Sequence, residues 1–308
     1  MKIIFFGTPS PAAVCLKMLL NIQEEVVYVI SQPDRKKGRG QTISSAPVKE
    51  VAIQNDIPVE TPGKIQDKLF IEKIKYLKPD LIIVVAYGKI LPKEILEIPK
   101  HGAINLHASL LPKYRGAAPI QYALLNGEKE TGITIMQLDE GLDTGEIILQ
   151  ETLEIKLEDT SETLSNKLFA RGGLLLLTAI KQIENNTTKK RAQDNSKATY
   201  TKLITKEMGK IDWNKQAEEI NNQIRALTPW PSAYTFIDGK MLKVFKAEIV
   251  AISEIKKPGE IIKSKDKLIV ACGKDALLIK ELQIEGKHKM FTEDFLKGYG
   301  MKLPSTFY

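Results

Sequence analysis

Residues 81–87 read Leu-Ile-Ile-Val-Val-Ala-Tyr, seven apolar positions in a row with no alternation toward water. A strand that is hydrophobic on both faces belongs inside a parallel sheet, where helices cover both sides. The neighbouring segments extend that reading. Upstream, residues 2–7 (KIIFFG) are a short apolar run closed by glycine, residues 9–20 carry helical spacing, and residues 26–31 (VVYVIS) are again strand-like. Residues 47–55 and 68–77 follow as helices. Downstream, residues 102–107 (GAINLH), 132–138 and 145–155 add strands, and residues 161–183 form a long Leu-rich helix with Thr160 or Ser161 as its cap. This alternation predicts an α/β domain with a Rossmann-like parallel sheet.

The turn after the first strand is Gly7-Thr8-Pro9-Ser10. It lacks the G-x-G-x-x-G spacing that cradles a pyrophosphate, so the expected fold is Rossmann-like without a dinucleotide motif. Ligands of open α/β sheets still sit beyond the carboxyl ends of the strands, here after residue 85 and after residue 107.

Composition changes near residue 184. Residues 184–202 are nearly all polar and centre on Asn-Asn-Thr-Thr-Lys-Lys-Arg. Beyond them a helix is predicted over 217–227, and short strands over 233–237, 241–250, 259–262, 267–271 and 276–283. Several short strands with regular turns predict a small β-barrel of OB-like type. The expected organisation is a catalytic domain over 1–185, a linker over 186–204 and a C-terminal barrel over 205–308.

Charge divides at the same place. Residues 1–185 hold 22 Lys+Arg against 23 Asp+Glu, a net of −1, whereas residues 186–308 hold 23 against 15, a net of +8. A basic half beside a neutral one points to a polyanion such as nucleic acid. Lys206, Lys210, Lys243, Lys246, Lys287 and Lys289 are candidate phosphate contacts. The two cysteines, Cys15 and Cys272, are far apart and lack metal-ligand spacing, which argues against a disulfide scaffold or a zinc site. No metal is expected. No apolar run reaches the roughly 18 residues that span a bilayer. With no basic leader before the first strand, a cytoplasmic monomer is expected, without a membrane partner.

Asn105 and His107 are two apart on a strand, so their side chains share a face. An amide and an imidazole side by side can donate to one substrate atom. Residues 109–120 (SLLPKYRGAAPI) hold two prolines and a glycine, which makes them a shaped loop. Residues 138–145 (LDEGLDTG) then offer Asp139, Glu140 and Asp143 on a loop between strands. A carboxylate here could orient His107, and spacing leaves Asp139 and Asp143 open.

The strings NLHASLLPKYRGAAPI and ETGITIMQLDEGLDTGEII closely resemble the folate-dependent formyltransferases. The resemblance runs over essentially the whole chain, from the IIFFGTP start to Pro229-Trp230-Pro231 and the β-rich end. Ala108 stands where the family often has glycine. The resemblance implies that Asn105, His107 and Asp143 are the catalytic trio. It implies that Ser109, Leu110, Leu111 and Pro112 line a tetrahydrofolate pocket, with backbone near Tyr87 and Gly88 holding the pterin. The implied one-carbon donor is 10-formyltetrahydrofolate, attacked directly by an amine.

Residues 32–47 (QPDRKKGRGQTISSAP) separate members of the family. Arg35, Lys36, Lys37 and Arg39 on a glycine-rich loop can wrap phosphates and order on binding. The resemblance implies that this insertion meets the acceptor end of a tRNA, which makes the methionine amino group of charged initiator tRNA the expected acceptor. A glycinamide ribonucleotide formyltransferase would lack the basic second domain. Nucleotide-sugar formyltransferases and the hydrolase domain of formyltetrahydrofolate dehydrogenase carry a similar one, and the wording of the PDRKKGRG and LDEGLDTG loops favours a tRNA acceptor. Trp230, between two prolines, is expected to pack at the junction of the domains.

Overall fold

A computed structural model describes residues 1–37, 42–254, 256–264, 266–299 and 305–307. Residues 1–119, 130–154 and 165–201 form one compact unit; residues 120–129, 155–164 and 202–308 form a second.

The chain runs through β1 (Lys2–Gly7), α1 (Ser10–Asn21), β2 (Glu25–Ile30), β3 (Arg35–Lys37), β4 (Thr42–Ser44), α2 (Pro47–Gln54), β5 (Val59–Glu60) and α3 (Lys68–Leu77). It continues through β6 (Leu81–Val85), α4 (Lys93–Leu96), β7 (Ala103–His107), β8 (Arg115–Gly116), α5 (Pro119–Leu125), β9 (Glu130–Gln137), β10 (Ile147–Glu154), α6 (Ser161–Glu184) and β11 (Tyr200–Thr201). The seven-stranded sheet has the order β10-β9-β7-β6-β1-β2-β5. Its β5, β2, β1, β6 and β7 are mutually parallel, while β9 and β10 run antiparallel beside β7.

Burial explains why β1 and β6 sit in the middle. Ile3, Ile4, Phe5, Phe6, Leu81, Ile82, Ile83 and Val85 are all fully buried. Period-2 alternation turns Ile4, Phe6, Ile82 and Val84 toward one face. There they meet Phe70 and Ile74 of α3 and Ile95 and Leu96 of α4. The opposite face is covered by α1 and α6. Gly172 lets α6 come close: a Cβ there would lie 2.9 Å from Leu106 and 3.2 Å from Ile133. Leu106 thus points at α6, and its strand neighbours Asn105 and His107 point the other way.

The second unit adds α7 (Ala217–Leu227), β12 (Ala233–Ile237), β13 (Lys240–Val250), β14 (Ile261–Ser264), β15 (Lys267–Ala271), β16 (Ala276–Ile284), β17 (Met290–Phe291) and α8 (Thr292–Tyr299). The antiparallel sheet has the order β12-β13-β16-β15-β14, with β17 on the free part of β16. Bulges in β13 at Val244/Lys246 and Lys246/Ala247 bend it. The expected barrel is a half-barrel, because β12 and β14 do not pair among the described residues. Leu242, Val244, Leu268, Val270, Leu277 and Ile279 fill its concave side against Ile220 and Ile224 of α7 and Phe295 of α8. The helix α7 starts with a capping box between Gln216 and Glu219. Trp230, expected to be packed, is 56% exposed. No helix among the described residues is long and apolar enough to cross a membrane.

Candidate active site

His107 is the last residue of β7 and lies opposite Thr134 of β9, while Asn105 lies opposite Met136. His107 is buried at 6% exposure, and Asn105 is partly open. The imidazole has two neighbours. Its Nε2 is 3.0 Å from the carbonyl oxygen of Tyr114. A carbonyl only accepts, so Nε2 carries a hydrogen. Its Nδ1 lies 3.6 Å from Oδ2 of Asp143.

That distance distinguishes the two aspartates that spacing left open. Asp139 is occupied by its own turn, accepting from the Gly141 amide at 3.0 Å and from Thr144 Oγ1 at 2.7 Å. Glu140 pairs with Lys93 at 3.1 Å. Asp143 instead sits in the left-handed backbone region at φ 54°. Its Oδ2 accepts from the Gly116 amide at 2.7 Å and faces the imidazole. The structure therefore brings His107 and Asp143 together and leaves Asp139 on the rim.

The loop between β7 and α5 is pinned from both sides. Thr134 Oγ1 donates to the Ser109 carbonyl at 2.7 Å and accepts from the Leu111 amide at 3.2 Å. Gln150 Nε2 donates to the Leu111 carbonyl at 2.7 Å. Ser109 Oγ donates to the Lys113 carbonyl at 2.6 Å, and the Leu111–Pro112 bond is cis. Leu111 packs on Met136 and Ile147. Leu110 lies over Gly132, where a Cβ would stand 2.4 Å from it. On the other side β8 pairs in parallel with β11. Tyr114 N donates to Thr199 Oγ1 at 2.8 Å, and Ala118 N donates to Thr201 Oγ1 at 3.1 Å. Gly116 must be glycine: its φ is +109°, and a Cβ would lie 2.7 Å from the Thr201 carbonyl oxygen.

Sequence reasoning missed Thr134, Gln150, Gln193 and Thr199. All are polar residues whose partners lie far along the chain, so no local pattern marks them. The polar stretch expected as a linker is, between residues 191 and 201, bound to the first unit. Arg191 pairs with Ile147 through two backbone hydrogen bonds of 2.8 and 2.9 Å.

Tyr87 and Gly88 line a separate cleft of about 360 Å³ at the carboxyl ends of β1, β2 and β6, together with Thr8, Pro9, Gln32, Pro33 and residues 44–47. Ser109, Leu110, Leu111 and Pro112 are not among its lining residues. The cleft wall is fixed by Thr8 Oγ1 and Gln32 Nε2, which both donate to the Tyr87 carbonyl, at 3.3 and 3.2 Å. Ala86 and Gly88 on either side adopt positive φ of 46° and 86°. Burial pushes the Tyr87 phenol up to about 12. Of the expected tRNA contacts, Arg39 lies outside the described residues, and so do the side chains of Arg35, Lys36 and Lys37. Their backbone forms the β3–β4 hairpin, with Arg35 opposite Ser44.

A family model described as Formyl transferase matches residues 1–180, and one described as Formyl transferase, C-terminal domain matches residues 203–300. Among curated proteins, the methionyl-tRNA formyltransferase of Caldanaerobacter subterraneus is 48% identical over 302 residues, covering 98% of each chain. That of Thermodesulfovibrio yellowstonii is 49% identical over 296 residues, covering 96% of this chain and 95% of its own. Among solved structures, an N-formyltransferase from Helicobacter canadensis in complex with folinic acid and dTDP-3-aminofucose aligns with a TM-score of 0.69 at 25% identity, over 91% of this chain and 98% of its own. A likeness this extensive, reaching both units and the loops that carry His107 and Asp143, means that the chain belongs to the formyl transferase family, and within it to the methionyl-tRNA formyltransferases.

Proposed function

We propose that this formyltransferase moves the formyl group of 10-formyltetrahydrofolate onto the free amino group of methionine on initiator Met-tRNA, for translation initiation. The observation that carries the reading is the placement of His107 against Asp143 at the carboxyl end of β7, 3.6 Å apart. The half-buried amide of Asn105 stands on the same strand face.

The amine attacks the formyl carbon and a tetrahedral oxyanion develops. Asn105 and the Nδ1–H of protonated His107 donate to that oxygen, the Nε2 hydrogen staying on the Tyr114 carbonyl; one such donor is worth about 3–4 kcal/mol in comparable acyl-transfer sites. Asp143 accepts the proton that the attacking nitrogen sheds, directly or through a water, and the bond to the folate nitrogen breaks as that nitrogen gains a proton. The 3.6 Å separation exceeds a normal hydrogen bond. Catalytic contacts are often long before substrate binds and tighten afterwards.

Folate is placed around Ser109, Leu110, Leu111 and Pro112, with the backbone at Tyr87 and Gly88 contributing to the pterin end. The folinic acid of the Helicobacter canadensis structure supports a folate-type donor. Residues 205–308 are the tRNA-binding part, joined to a catalytic part over 1–185, and the basic hairpin of β3 and β4 meets the acceptor end. The test is direct. Incubation with 10-formyltetrahydrofolate and Met-tRNA is expected to give formyl-methionyl-tRNA, and uncharged tRNA and amino-sugar nucleotides are expected to remain unformylated. Formylation of the sugar nucleotide with none on Met-tRNA would reassign the acceptor.

A further inference from the structure

We propose that Gln193 is a positioning residue for the proposed reaction: with Arg115 it holds the backbone of Asp143 in the conformation that turns its carboxylate toward His107. The inference rests on the functional reading above for the role of Asp143 and on independent geometry for the role of Gln193.

Asp143 is held in the left-handed region at φ 54°. Asp enters that region more readily than most non-glycine residues, and here the backbone hydrogen bonds around it fix the conformation. The carbonyl oxygens of Asp143 and Gly145 both turn to the same donor, Gln193 Nε2, at 2.9 and 2.7 Å. An amide nitrogen has two hydrogens, and both are used. The Gln193 oxygen accepts from Arg115 Nε at 3.2 Å and from Arg115 Nη2 at 2.7 Å. Turning the amide over would set its oxygen against two carbonyls and its NH2 against a guanidinium, so the orientation is fixed.

Arg115 is itself immobilised. It is 1% exposed, donates to Asn195 Oδ1 at 2.7 Å and to Tyr200 Oη at 3.3 Å, and stacks 5.9 Å from the Tyr200 ring. Its chain neighbour Gly116 supplies the amide that holds Asp143 Oδ2. Two consecutive residues of β8 thus grip Asp143 at both ends. Gly116 holds the carboxylate directly, and Arg115 holds the backbone through Gln193. Because the catalytic groups are otherwise intact, loss of Gln193 is expected to appear in turnover rather than in substrate binding.

The test is a double-mutant cycle in the full chain, using 10-formyltetrahydrofolate and Met-tRNA. Gln193→Met keeps the volume and removes all four hydrogen bonds. Its kcat is expected to fall about 100-fold, the effect of a misplacement near 1 Å, with the KM of both substrates held within about twofold. In an Asp143→Asn background the same change is expected to cost less than about threefold, since its target is already gone. A loss of equal size in both backgrounds, or a loss confined to KM, overturns the proposal. Should Gln193→Met not fold by circular dichroism, Asn195→Ala frees one end of Arg115 and must show a smaller kcat loss with the same dependence on Asp143. Wild-type activity on Met-tRNA tests the function separately from the non-additivity that tests positioning.

Discussion

His107 is held through Nε2 by the Tyr114 carbonyl at 3.0 Å while its Nδ1 faces Asp143 Oδ2 at 3.6 Å. The Nε2 hydrogen is committed to a fixed backbone acceptor. Any proton that the ring gives or takes must therefore pass at Nδ1, the edge shared with Asp143.

Asp143→Asn removes the proposed proton acceptor while keeping the shape. Turnover is expected to fall by roughly 10²–10⁴-fold, the usual worth of general acid–base help. Binding of 10-formyltetrahydrofolate, measured by fluorescence titration, is expected to stay within about twofold. An equal loss in both quantities would mean that Asp143 serves binding.

Asn105→Ala removes one proposed oxyanion donor from β7. A kcat loss of about 10²–10³-fold is expected, with unchanged melting temperature. If stability falls and kcat survives, Asn105 is a structural amide at a strand end.

Sequence reading was strong where burial dictates pattern. The runs at 3–6 and 81–85 are apolar at every position because β1 and β6 are covered on both sides. The predicted helices at 68–77 and 217–227 coincide with α3 and α7. It was weak where polar groups satisfy each other at long range. The stretch 186–204 reads as a linker because its side chains are polar, yet Gln193 finds Asp143 and Arg115, and Thr199 finds Tyr114. Nothing in LDEGLDTG reveals that Asp139 closes its own turn and Asp143 does not. The helix α8 was missed because its short apolar pattern follows directly on β17.

Both thiols are expected to be silent in the native protein. Cys15 and Cys272 are buried, and burial pushes each thiol from 9.0 up to about 12. At pH 8 neither forms thiolate, so titration with a disulfide reagent should find no reactive group until denaturant is added, and then two. Between pH 9 and about 12 the unfolded chain loses protons that the native chain keeps, so these groups lower stability as pH rises through that window. Fast native labelling of Cys15 would contradict its burial.

Arg39→Ala is expected to weaken use of Met-tRNA and to leave folate binding unchanged. If the guanidinium contacts phosphate, the salt dependence of KM for tRNA should also become shallower, by about one unit or less in the log–log slope. An identical slope in the variant would remove Arg39 from the interface.

The parallel bridge between β8 and β11 joins the loop after His107 to a segment about 85 residues further along the chain. Every strand of the seven-stranded sheet is complete by Glu154, and α6 ends at Glu184. The groups that clasp the Asp143 loop and the loop after His107 arrive only with Gln193 to Thr201. As the chain is synthesised, the sheet can form while its reactive end is still slack. The segment that clasps the Asp143 loop is thus the last part of the first unit in chain order.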